Sequence, residues 1–225
     1  MTNKIKLFKH SDEFYKKKFQ EILRNIYLCY LFLKEDTIKI PSNNENMIRD
    51  ILVDNYLNND DIRIKTGLNK YSFNKETAES RGFADIKIEF KNELLPTNAY
   101  YIIECKRLDN KNTKGKNGLN AKYINEGIFR FISNHYSTNC GVNAMLGFVI
   151  QEMNIDENID NLNFLMQNKI KKSTKQYIQK ETFLPNYDYH YSSEHIDVES
   201  KGFTLYHIML DFSSFNEIEL SASNR

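Results

Sequence analysis

The chain has 225 residues, 40% of them hydrophobic and 27% charged, the make-up of a soluble globular protein with one sizeable core. A formal net charge of +1 neither demands nor excludes a nucleic-acid partner. Cys29, Cys105 and Cys140 are odd in number and lack metal-ligand spacing, so they are expected as reduced thiols of a cytoplasmic protein. The lysine-rich start has no apolar core of a secretory signal, and the longest apolar stretch, 22–33, is broken by Arg24 and Asn25. No membrane partner is expected.

Residues 11–34 read as a helix, with Ser11 as its cap and Asp12 and Glu13 in the first turn. Phe14, Phe19, Ile22, Leu23, Ile26, Tyr27, Tyr30 and Leu31 form its apolar stripe. A second helix is expected after Pro41, to about residue 57, with Met47, Ile48, Ile51, Leu52, Tyr56 and Leu57 inward. Ser42 to Glu45 fits a capping box, in which the glutamate bonds back to the cap residue. Residues 61–66 (DIRIKT) alternate like a short strand with Ile62 and Ile64 inward, and 67–80 read as polar loop.

Two strands follow, RGFADIKIEF and AYYIIECKRL, with a reversal around Pro96 that makes an antiparallel hairpin. The register that keeps apolar faces together puts Phe90 opposite Ala99 and Asp85 opposite Glu104. Opposed residues lie roughly 4.5–5.5 Å apart at Cβ, where like charges destabilise the pair. A divalent cation taking an oxygen from each would remove that cost, and Mg²⁺ suits carboxylates, water and a phosphate. Lys106 shares the face of Glu104, roughly 6.6–7 Å further on. Its ammonium could hold a phosphate oxygen or orient an attacking water. A hairpin with one wet, charged face shows the same alternation, so a plain solvated face is the competing reading.

Asp85 followed by Glu104-Cys105-Lys106 on the next strand resembles the core of the PD-(D/E)xK, restriction-endonuclease-like nuclease superfamily; Ala84 stands where the superfamily's name has proline. The resemblance implies that Asp85, Glu104 and the Cys105 backbone carbonyl bind Mg²⁺, with Mn²⁺ as a substitute, and that Lys106 helps activate water. It also implies a glutamate reaching the site from the preceding helix, for which Glu45 is the candidate beside its capping role.

After the hairpin, Lys111, Lys114, Lys116 and Lys122 outweigh Asp109, either as a basic loop that approaches a phosphate backbone or as solvated surface. Residues 119–136 read as a third helix, in which Arg130 pairs with Glu126 or faces the site or a phosphate. Residues 143–152 are nearly continuously apolar, as in a strand buried on both faces. Residues 155–179 read as helical with a second basic run, and 204–212 as a strand. His190 and His195 lack metal-motif spacing and are expected at the surface, and no P-loop, dinucleotide-binding or Ser/Cys nucleophile motif occurs.

The expected fold class is α/β: a restriction-endonuclease-like core with a central mixed sheet flanked by helices, an added N-terminal helix (1–40), the core proper (41–152) and a C-terminal extension (153–225), in one domain. The expected function is Mg²⁺-dependent hydrolysis of DNA phosphodiesters in restriction or phage defence, as a homodimer or within a larger defence complex. Two alternatives stay open: a catalytically inactive nucleic-acid-binding or scaffolding member of the same fold, and an unrelated α/β interaction module.

Overall fold

The computed structural model describes residues 2–36, 38–41, 43–91, 99–138 and 140–216, with side chains from residue 13 onward. Its centre is a seven-stranded mixed sheet of β1 (Tyr71–Glu79), β2 (Gly82–Phe90), β3 (Tyr100–Leu108), β4 (Val142–Val149), β5 (Thr174–Lys180), β6 (His190–Ile196) and β7 (Gly202–Asp211). The strand order is β1-β2-β3-β4-β7-β6-β5. The centre, β3-β4-β7, is parallel, and both flanks are antiparallel. Every residue of β4 is buried, which its apolar run requires between two parallel neighbours with both faces covered.

Helices cover both faces. On one side α1 (Thr2–Glu35) and α2 (Glu45–Leu52) bring Phe19, Ile22, Leu23, Ile48 and Leu52 onto Tyr101, Ile103 and Cys105 of β3. On the other, α4 (Leu119–Lys122), a π-helical stretch (Tyr123–Ile128) and α5 (Phe129–Ile132) run on as one helix. They pack with α6 (Ile155–Lys169) on Ile102, Leu108 and Met145. The helix passes close over β3 and β4 because residue 127 is glycine: a Cβ there would lie 2.4 Å from Met145 Cε.

Several expectations give way. Residues 61–66 belong to a helix, α3 (Asp60–Thr66), and Ile64 is 68% exposed. Asn59 caps it through Ile62 N–H, acidic Asp60 and Asp61 suit its first turn, and Gly67 ends it at φ 74°. The expected loop 67–80 holds β1, an edge strand whose buried residues are Tyr71 and Phe73. The first helix starts by Thr2, so Ser11 is inside it, and Phe14, Leu31 and Met47 are exposed. The third helix stops at Ile132, and the stretch expected as helix 155–179 turns into β5 after α6. His190 and His195 are buried in β6, not at the surface. Ser42 and the reversal around Pro96 lie outside the described residues.

Candidate active site

β2 and β3 pair from Glu89↔Tyr100 to Ile86↔Ile103, in the register the alternation demands. One step further, where Asp85 and Glu104 would face each other, the described pairing ends. There the Cys105 N–H donates to Asp85 Oδ2 at 2.7 Å. A side-chain carboxylate has taken the place of a strand partner, which fixes Asp85 beside β3.

The other oxygen of Asp85 is held from behind. Arg49 of α2, 3% exposed, donates from Nη1 to Asp85 Oδ1 at 3.2 Å, from Nη2 to Glu76 Oε1 at 3.0 Å and from Nε to Asp50 Oδ1 at 2.9 Å. Glu76 lies on β1, next to Asp85, at φ 46°, a left-handed conformation that is strained for a glutamate. Burial alone would lower the Arg49 pKa, but Asp50, Glu76 and Asp85 outweigh it and raise it.

Glu104 is wholly buried. Its Oε1 accepts from Lys106 Nζ at 2.7 Å and Arg130 Nη1 at 2.8 Å, and its Oε2 accepts from the Tyr136 hydroxyl at 2.7 Å. Arg130 also donates to that hydroxyl, so it faces into the site instead of pairing with Glu126. Burial and the nearby Asp85 push the Glu104 carboxyl up to about 7, against the pull of Lys106 and Arg130.

Lys106 completes the arrangement. Its Nζ lies 2.7 Å from Glu104 Oε1, 2.7 Å from the Cys105 carbonyl, 3.0 Å from Glu45 Oε1 and 3.7 Å from Asp85 Oδ2. Three hydrogen bonds use all the donors of an ammonium, and the fourth oxygen adds Coulomb attraction. Burial works to lower its pKa, but Glu104, Asp85 and Glu45 together raise it, so Lys106 is a cation in this form.

Glu45 does not close a capping box. Asn44 is the cap, accepting from Asn46 and Met47 N–H, and Glu45 opens the helix. Its Oε2 accepts the Arg107 N–H at 2.9 Å while Oε1 meets Lys106, which clamps α2 to β3. Glu45 and Arg49, four residues apart on one helix face, meet Lys106 and Asp85 respectively.

The structure thus gathers Glu45, Asp85, Glu104, the Cys105 carbonyl, Lys106 and Arg130. It leaves Lys111, Lys114 and Lys116 exposed on the loop after β3, and no ion pair joins any of the three to a site carboxylate among the described residues. Sequence reasoning missed Arg49 and Tyr136. Arg49 carries one signal, a charge between Ile48 and Leu52 on the inward side of a helix; Tyr136 lies beyond the last helical turn and has none.

The donor set is all oxygen and mostly anionic, which fits a hard divalent cation. Its spacing fits an ammonium: among the described residues no group of three or more His, Cys, Asp or Glu is drawn together as a metal centre. Comparisons of the chain with protein-family models, curated proteins and solved structures found no match.

Proposed function

We propose that the protein is a metal-dependent nuclease of the PD-(D/E)xK type that acts on DNA in restriction or phage defence. One observation carries the reading: three carboxylates and a backbone carbonyl from α2, β2 and β3 converge on a single cationic point, the Lys106 Nζ. Convergence of that kind has a cost in mutual repulsion that an ordinary wet strand face does not bear. The order of elements adds support. Apart from the inserted α3, the order helix α2, antiparallel β1-β2-β3, a covering helix and parallel β4 fits the helix, three strands, helix, strand order of the core of that superfamily.

Asp85, Glu104 and the Cys105 carbonyl would hold Mg²⁺ or Mn²⁺, with Glu45 reaching the same point. Such an ion supplies Lewis-acid polarisation of a phosphoryl oxygen and a more acidic bound water. The chain's residues do the rest. Asp85 is fixed by the Cys105 N–H and Arg49, and Glu104 by Arg130 and the Tyr136 hydroxyl, so both carboxylates are pre-positioned. Lys106, with a raised pKa, acts as a donor that holds a phosphate oxygen or the water; it does not strip the proton. Glu45 steers the ammonium between these positions.

A second reading has one observation in its favour. The carboxylates are already compensated by Lys106, Arg49 and Arg130, as in a structural ion network of a non-cleaving nucleic-acid-binding or scaffolding protein. Incubation of plasmid and linear DNA with the protein and Mg²⁺ or Mn²⁺ separates the two. Cleavage that disappears in Asp85→Asn supports the nuclease; intact DNA under both metals supports the scaffold.

A further inference from the structure

Phe83 is 64% exposed, although it stands two residues before Asp85 on β2. Ala84, Ile86 and Ile88 are the buried residues of that strand, so Phe83 and Asp85 project from its other face, roughly 6.6–7 Å apart along it. A lone exposed phenylalanine is ordinary. This one is carried on a fastened backbone. Its carbonyl lies 2.9 Å from the Tyr136 hydroxyl, and the Ser80 hydroxyl, at the turn from β1 to β2, lies 2.8 and 3.0 Å from the Asn134 and His135 carbonyls. The ring is therefore held out to solvent by the same segment that brings Tyr136 to Glu104.

Across that hydroxyl stands Arg130. Its hydrogen bonds, to Glu104 Oε1 at 2.8 Å and to the Tyr136 hydroxyl at 2.7 Å, both run through Nη1. Nε and Nη2 keep their N–H donors without a protein acceptor among the described residues, and the side chain is 37% exposed. A planar fork of this kind suits a phosphate. An exposed aromatic face beside an open guanidinium is the pair of contacts that one nucleotide needs: the ring takes a base, and the fork takes the phosphate next to it. A base stacked within a duplex has no free face to offer, so that nucleotide must be unpaired.

We infer that Phe83 is a stacking residue for an unpaired base and that Arg130 holds the adjoining phosphate, so that the preferred substrate is an unpaired strand of DNA and not the interior of a duplex. The place of that nucleotide beside a scissile phosphodiester rests on the nuclease reading; the stacking itself does not. Every base has a π face, so Phe83 selects for strandedness and not for sequence.

The test uses the full chain in metal-free buffer, with a fluorescein-labelled single-stranded DNA and its blunt duplex as probes and anisotropy as the readout. The wild type is expected to bind the single strand more tightly. Phe83→Ala should weaken single-strand binding about tenfold, leave duplex binding unchanged and keep the salt slope, because a stacking contact releases no counterion. Phe83→Trp should restore the affinity, and Phe14→Ala, at an exposed position on α1, should not alter it. Arg130→Gln should lower the salt slope by about one. Phe83 is exposed, so its variants decide the matter if Arg130→Gln fails to fold. A strand carrying 5-iododeoxyuridine should photocross-link at Phe83. Equal affinity of Phe83→Ala and the wild type for the single strand, an equal loss for both DNAs, a cross-link elsewhere, or no binding by the wild type overturns the assignment. Phe83-dependent single-strand binding without metal-dependent cleavage would sink the nuclease reading and leave the stacking residue in place; duplex cleavage that Phe83→Ala matches does the reverse.

Discussion

The Cys105 amide and Asp85 Oδ2 are 2.7 Å apart, at the point where the described pairing of β2 and β3 ends. This contact gives Asp85, a candidate site residue, a structural role as well. Asp85→Ala would leave the Cys105 N–H without its acceptor and Arg49 without one of its three carboxylates, so a loss of about 3 kcal/mol in urea unfolding is expected. Asp85→Asn keeps an oxygen for the amide and should cost less than half of that. Equal losses from the two variants would mean that the amide contact contributes little.

Arg49 binds three carboxylates from a nearly buried position. Arg49→Met should destabilise the fold by about 3 kcal/mol and leave Asp85 and Glu76 repelling each other. Combined with Asp85→Asn in a double-mutant cycle, it should show a coupling above about 1 kcal/mol. Strict additivity would show that Arg49 does not act through Asp85.

Lys106→Met removes the cation from among three carboxylates. In metal-free buffer the melting temperature should fall by several degrees, because the carboxylates lose their internal counter-charge. Added Mg²⁺ or Mn²⁺ should raise the melting temperature of this variant more than that of the wild type, since no ammonium has to be displaced. A smaller metal-induced shift than in the wild type would show that the ammonium does not occupy the cation position.

Behind β3, Tyr123, His207, Ser193 and His195 form a buried chain with links of 2.9, 2.8 and 2.8 Å. Burial holds both histidines neutral, with pKa values lowered to about 4 for His195 and about 3 for His207, whose neighbour His195 adds to the shift. The unfolded chain takes up protons near 6.5, before the folded one can. Stability is therefore full above about pH 6.5 and is lost as pH falls towards 4 and 3. At pH 5 each histidine accounts for about 2 kcal/mol of lost stability. Urea midpoints between pH 8 and 5 should show this slope, and His207→Asn should reduce it; an unchanged slope would mean that these histidines are not the groups responsible.

The strongest sequence signals were those tied to burial. The apolar run of β4 and the alternation in β2 and β3 survive in the structure because a slipped register would drive charges into two cores at once. Residues 61–66 misled because two isoleucines at spacing two fit a short strand as readily as a helix; the Asn59 cap and Gly67 carry the deciding information. The edge strand β1 was hidden because only its first half is buried, and its polar second half looks like loop. His190 and His195 read as surface residues because their burial follows from the pairing of β6 with β7, which no local spacing announces, although the Leu184 N–H and the Ser193 hydroxyl that they meet are near in sequence. The acidic pair, its lysine and Glu45 could be listed from the chain as candidates, whereas Arg49 and Tyr136 join them only through the packing of α2 and of the segment after α5.

Asp85 and Glu104 sharing one divalent ion is the claim on which everything else depends. A crystal grown without metal and soaked in Mn²⁺, with anomalous data collected, measures it most directly. One anomalous peak within coordination distance of Asp85, Glu104 and the Cys105 carbonyl is predicted, with Lys106 Nζ moved off the point that it occupies alone. An ordered, unchanged ammonium and no peak beside these carboxylates would contradict it.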